Sequence, residues 1–193
     1  NNEIEKLIKK IHSIDGIKGS IVITGCGISS LSWLFNVSGA SNTMLTSYVP
    51  YSKNSLQEFL GKKLIYHVSE NEAINMSEVA YEKSKAFLDK SDNKTKLFGL
   101  GCTGAISTNR DRKGEDRAHI AIKTVDSLSV FSLYFDKTLD LFSGVNLDHK
   151  LNAFRELSIR LLKSLSFIDI ITFFHCRLGS DSISTFTFVI LFL

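Results

Sequence analysis

A β-branched run, Ser20 to Thr24 (SIVIT), meets the turn Gly25-Cys26-Gly27 and passes at once into SSLSWLF, whose apolar residues have helical spacing. The apolar period changes from two to 3.6 across a turn of small residues, which predicts a strand, a tight turn and a helix. One such unit cannot cover both faces of its strand, so the rest of the chain must supply further strands and helices.

The remaining sequence does so. Asn1 to Asp15 carries Ile4, Leu7, Ile8 and Ile11 on one helical face, without the continuous apolar stretch of a signal peptide. Met44 to Val49 predicts a second strand ending at Pro50, the only proline, and Ser52 to Leu60 a helix capped by its serine. Ser69 followed by Glu72 is a capping-box signature ahead of a helix running through Ala73, Met76, Val79, Ala80, Lys83 and Phe87. Lys96 to Leu100 reads as a strand, Gly101 to Asp116 as a long polar loop, and Ala118 to Val125 and Ser127 to Phe135 as further strands. Leu147 to Leu165 has the pattern of an amphipathic helix. Alternation of this kind predicts an α/β fold, a layered sheet flanked by helices, in one domain over residues 1–166.

From Phe167 the chain is strongly apolar and closes on FTFVILFL, but Asp169, His175, Arg177 and Asp181 interrupt it. A spanning helix needs roughly 20 apolar residues, so residues 167–193 read as an apolar tail, expected to be covered by another surface. The chain has 193 residues, enough for one ordinary core. Its net charge is only +3 and acids and bases are interleaved, so no basic stripe suggests a nucleic-acid partner. Cys26, Cys102 and Cys176 lack CxxC spacing or neighbouring histidine pairs, which argues against a disulfide framework and a zinc site. A reduced, cytoplasmic protein without metal or cofactor is expected.

Two glycine runs follow strands. Gly25 and Gly27 match the start of a dinucleotide fingerprint, but Ser30 stands where its third glycine belongs and no acid follows at the distance a ribose requires. GLGCTG is a literal GxGxxG at Gly99, Gly101 and Gly104, yet a charged loop is expected after it rather than a helix. Neither ends in the GK[ST] of a phosphate loop. Glycines still let backbone N–H groups approach an anion, so a phosphate or carboxylate nest remains open beside the reading as plain tight turns.

Hydroxyls at a strand-to-helix turn gain exposure and the field of the helix N-terminus, which makes Thr24, Ser29 and Ser30 nucleophile candidates. Tyr51, next to Pro50, is an acid–base candidate if a cation lies near it, since a free phenol titrates near pH 10 and is a poor base at neutral pH. Arg110, Arg112, Lys113 and Arg117 could clamp a phosphate or simply be solvated. Cys102 with His119 is a rival nucleophile and base.

The segment VITGCGISSLSWLFNVSGASNTMLTSYVPYS resembles the C-terminal CinA-type domain, and GLGCTGAISTNRDRKGEDRAHIAIKT resembles that family's second glycine-rich segment. The resemblance covers roughly Ile4 to Leu165 and looks nearest to the eukaryotic branch in which this domain precedes a nucleotidyltransferase-like domain, although no HxGH-type motif is present. It implies hydrolysis of the carboxamide of nicotinamide mononucleotide to nicotinic acid mononucleotide and ammonia, by a serine assisted by tyrosine and lysine. Tyr51 matches the family tyrosine, the family lysine falls at Leu56, and Lys53 is the nearest substitute. An ungapped match puts Thr24 at the nucleophile, with Ser29 just downstream. Gly25, Gly27, Ser41, Gly101, Thr103, Gly104, Lys113 and Arg117 then surround the substrate, a small pyridine mononucleotide. The resemblance and the apolar tail both suggest a homo-oligomer. Three readings stand: an amidohydrolase, a binding module that has lost catalysis, and a structural or interaction domain.

Overall fold

Five strands form one sheet in the order β2-β1-β3-β4-β5. The computed structural model describes residues 2–89, 92–106 and 114–135, with 160, 163 and 165. The strands are β1 (Ile17–Thr24), β2 (Met44–Tyr48), β3 (Lys96–Ala105), β4 (Asp116–Thr124) and β5 (Leu128–Phe135). The helices are α1 (Asn2–His12), α2 (Ser29–Asn36), α3 (Ala40–Thr43), α4 (Lys53–Leu60) and α5 (Glu70–Phe87). β1 pairs parallel with β2 and β3, while β3–β4 and β4–β5 are antiparallel. The expected α/β sheet flanked by helices is therefore the observed one.

The period of two along each strand sorts the side chains onto two faces. Ile21, Ile23, Leu100, Cys102, Ile120 and Ile122 join Ile8 and Ile11 of α1 and Leu31 and Leu34 of α2 in one buried cluster, to which Leu165 also belongs. On the other face Val22 meets Leu56 and Leu60 of α4 and Met76 and Ala80 of α5. The amphipathic face expected for α1 is thus its buried face, with Ile4 and Leu7 against the cluster margin.

Helix starts follow the sequence signals. Ser52 accepts from Ser55 N at 3.2 Å, and Ser55 Oγ accepts from Ser52 N at 3.0 Å, a reciprocal cap on α4. Ser69 caps α5 by accepting from Glu72 N at 3.2 Å, and Gly61, at φ +67, closes α4.

One expectation is corrected. Gly101 to Ala105 lie within β3, a strand of 10 residues, and not in a polar loop. The glycines mislead because they are packing residues here. A Cβ on Gly99 would come within 2.7 Å of Tyr81 Cα, and one on Gly101 within 2.6 Å of Ser77 N, so α5 lies directly on the β3 backbone. Ser84 completes that seam, its hydroxyl 2.8 Å from Ser20 Oγ and 3.0 Å from the Phe98 carbonyl oxygen. The helix expected over Leu147 to Leu165, apart from residues 160, 163 and 165, and the apolar tail lie outside the described residues.

Candidate functional site

The chain leaves β1 toward α2 on one face of the sheet and leaves β2 toward α4 on the other, although the two strands are neighbours. Ligands in an open α/β sheet usually lie outside the carboxyl ends of the strands. Thr24 and the Gly25–Ser29 turn come at the carboxyl end of β1. Val49, Pro50, Tyr51 and the start of α4 follow the carboxyl end of β2.

Gly25 has φ +86 and Gly27 φ +93, the left-handed region in which an L side chain is strained. A Cβ at Gly25 would also collide with the Gly104 carbonyl oxygen, so the turn lies tight against the end of β3. Cys26 N donates to the Thr24 carbonyl at 3.2 Å, and Ser30 Oγ donates to the Gly27 carbonyl at 2.7 Å. Those bonds hold the Ser30 hydroxyl inside the turn. Ser29, at the first position of α2, is exposed.

Tyr51 is 71% exposed, in the coil between β2 and α4, and Lys53 opens α4 with its side chain in solvent. Leu56, the position of the family lysine, is buried in the cluster with Val22 and Met76. The inward face of α4 therefore holds a hydrocarbon there. Ser41 is exposed on α3, at the opposite end of the β1–β2 crossover from Thr24.

Thr24 and Thr103 are register partners, and Thr103 is in turn the partner of His119. The Thr103 hydroxyl donates to the His67 carbonyl at 2.9 Å, and Arg117 Nη2 donates to the Val68 carbonyl at 3.3 Å. These two bonds fasten the segment between α4 and α5 over the carboxyl end of β3 and the start of β4. Gly104 turns to the other face, where the space beside its Cα is filled by Cys26 Sγ and Ala118 Cβ. Lys113 lies outside the described residues, as do Arg110 and Arg112.

The Cys102 and His119 pair is corrected by register. Cys102 pairs with Ile120 and faces the α1–α2 cluster, so it lies on the opposite side of the sheet from His119. Burial drives the Cys102 thiol well above its usual range, with Cys26 adding to the rise, and holds Cys26 up at about 12. Both are poor nucleophiles. His119 instead places Nδ1 2.8 Å from Ser132 Oγ, and Ser132 Oγ lies 2.6 Å from Glu70 Oε1. Reading the sequence missed this contact. The alternation of Arg117 and His119 with Ala118 and Ile120 was visible, but nothing local tied β4 to Ser132 or Glu70.

No model of a known protein family matches the sequence, and no curated protein does. Among solved structures, the chain is similar to the competence/damage inducible protein CihA from Agrobacterium tumefaciens, with TM-score 0.59 and 18% identity over 84% of this chain and 95% of that one. A competence-damaged protein (CinA) superfamily protein from Escherichia coli gives TM-score 0.59 and 16% identity over 84% and 90%. A competence or damage-inducible protein from Enterobacter asburiae gives 0.58 and 17% over 86% and 99%. The fold is accordingly CinA-like.

Proposed function

We propose that the chain hydrolyses the carboxamide of a pyridine mononucleotide, nicotinamide mononucleotide being the substrate that the motif resemblance implies. One observation supports the proposal: Thr24 and the Gly25–Ser29 turn come at the carboxyl end of β1, and Tyr51 and Lys53 follow the carboxyl end of its parallel neighbour β2. A CinA-like fold is compatible with it but does not by itself specify chemistry.

In this reading the Thr24 or Ser29 hydroxyl adds to the amide carbonyl carbon, and backbone N–H groups of the turn stabilise the oxyanion. Tyr51 and Lys53, both exposed, close over the substrate, and Arg117 and Lys113 supply charge for its phosphate. Ammonia leaves, and water then hydrolyses the ester to the free acid.

A second reading is favoured by one specific feature. With Leu56 buried where the family has its lysine, the pocket would bind the nucleotide without turning it over. Measuring ammonia release from nicotinamide mononucleotide beside a binding titration separates the two. Turnover supports the hydrolase, binding without turnover supports the binding module, and neither leaves an interaction domain.

A further inference from the structure

Helix α4 ends at Gly61, and the segment that follows, Lys62 to Val68 (KKLIYHV), sets an apolar stretch between two lysines and a histidine, with no acid. The segment is held on both sides of that stretch. Before it, Leu64 N donates to Gln57 Oε1 at 3.3 Å, and the Leu64 side chain packs against the cluster of Val22, Leu56 and Met76. After it, the His67 carbonyl accepts from the Thr103 hydroxyl at 2.9 Å and the Val68 carbonyl from Arg117 Nη2 at 3.3 Å.

Only Ile65 and Tyr66 lie between these two sets of anchors, and both face solvent: Ile65 is 86% exposed and Tyr66 68%. A lone exposed apolar residue is ordinary, but here the core takes Leu64 and leaves its two neighbours in water at a fastened tip. The Tyr66 ring stacks on no described residue, and its hydroxyl makes no hydrogen bond to one.

The same anchors place the tip in the fold. Thr103 is the register partner of Thr24, and neighbouring strands lie about 5 Å apart. Tyr66, one residue from the carbonyl that Thr103 holds, therefore stands within the length of a mononucleotide of Thr24. That is the end of the sheet at which ligands of open α/β folds bind. Because the backbone on either side is already tied down, a ligand that meets the tip has little chain left to order.

We infer that Tyr66 is the binding residue against which the pyridine ring of the mononucleotide stacks. The inference rests on the pyridine mononucleotide reading above but not on turnover, so it applies to the hydrolase and to the binding module alike. A phenol presents a flat, electron-rich face, and the pyridine of nicotinamide mononucleotide is a flat cation, so the pair combines stacking with cation–π attraction. The segment's own charges, Lys62 and Lys63, are positive and exposed, which suits an approaching phosphate. An exposed isoleucine or leucine in place of Tyr66 would offer apolar area without that ring face.

The test is a binding titration of nicotinamide mononucleotide, and of ribose 5-phosphate, which lacks the ring, against wild type, Tyr66→Ala and Tyr66→Phe. Because Tyr66 is exposed, both variants should fold as the wild type does, and thermal melts check this. Expected are a Kd for nicotinamide mononucleotide raised about tenfold or more in Tyr66→Ala, since stacking on an aromatic side chain is worth that much, and a near-wild-type Kd in Tyr66→Phe. The affinity for ribose 5-phosphate should not change in either variant. Near-wild-type binding of nicotinamide mononucleotide by Tyr66→Ala overturns the stacking role alone, as does an equal loss for both ligands or a loss in Tyr66→Phe as large as in Tyr66→Ala. No binding of nicotinamide mononucleotide by the wild type overturns the nucleotide reading and this role with it.

Discussion

Thr24 and Thr103 face each other as register partners on parallel strands, yet their hydroxyls are committed differently. Thr103 donates to the His67 carbonyl, whereas the Thr24 hydroxyl makes no hydrogen bond to another described residue. The first is a structural fastener, and the second carries no such commitment. Thr24→Ala is therefore expected to abolish ammonia release while leaving the thermal midpoint close to wild type. Thr103→Val is expected to loosen the segment before α5 and cost about 1–3 kcal/mol, since it orphans a carbonyl. Parallel melts and activity assays check both, and unchanged turnover in Thr24→Ala would move the nucleophile to Ser29.

The glycines of β3 set how closely α5 can approach the sheet. Gly101→Ala places a methyl against the Ala73 carbonyl and 2.6 Å from Ser77 N, with no flexible side chain to yield. Overpacking of this kind costs about 1–3 kcal/mol, and chemical denaturation should register it. A neutral result would mean that α5 shifts without penalty.

Restoring the family lysine should fail as a repair. Leu56→Lys puts an ammonium into a cluster with Val22, Leu60, Met76 and Ala80. Leu56→Ala alone is expected to cost about 2–5 kcal/mol, and the lysine variant more, because the charge must be desolvated or escape. Denaturation midpoints of the two variants, taken together, check the order.

Stability should depend on pH through His119. Its folded pKa is depressed by burial, against about 6.5 in an unfolded chain. As pH falls through 6.5 the unfolded chain takes up a proton that the folded imidazole still refuses. Stability therefore declines below about 6.5 and keeps declining until the lower folded pKa is reached. Urea midpoints across that range, compared with His119→Gln, should show a shallower slope in the variant.

Much of the fold was readable because its signals are local. The SIVIT run, Pro50, and the serine caps at Ser52 and Ser69 mark element boundaries through backbone chemistry that each residue carries alone. The glycines of β3 misled for a non-local reason: only α5, whose contacting residues lie 18 to 28 positions earlier, explains why Gly99 and Gly101 lack side chains. The candidate site divides in the same way. Thr24, Gly25 and Gly27 were visible at a strand-to-helix turn, and Tyr51 beside the only proline. The His119, Ser132 and Glu70 chain joins three elements through strand register, which no local pattern encodes.

The most direct measurement is ammonia release from nicotinamide mononucleotide by the full chain, with the same ligand titrated for binding. The hydrolase proposal expects turnover that disappears in Thr24→Ala. Binding with no ammonia from the wild type would contradict it.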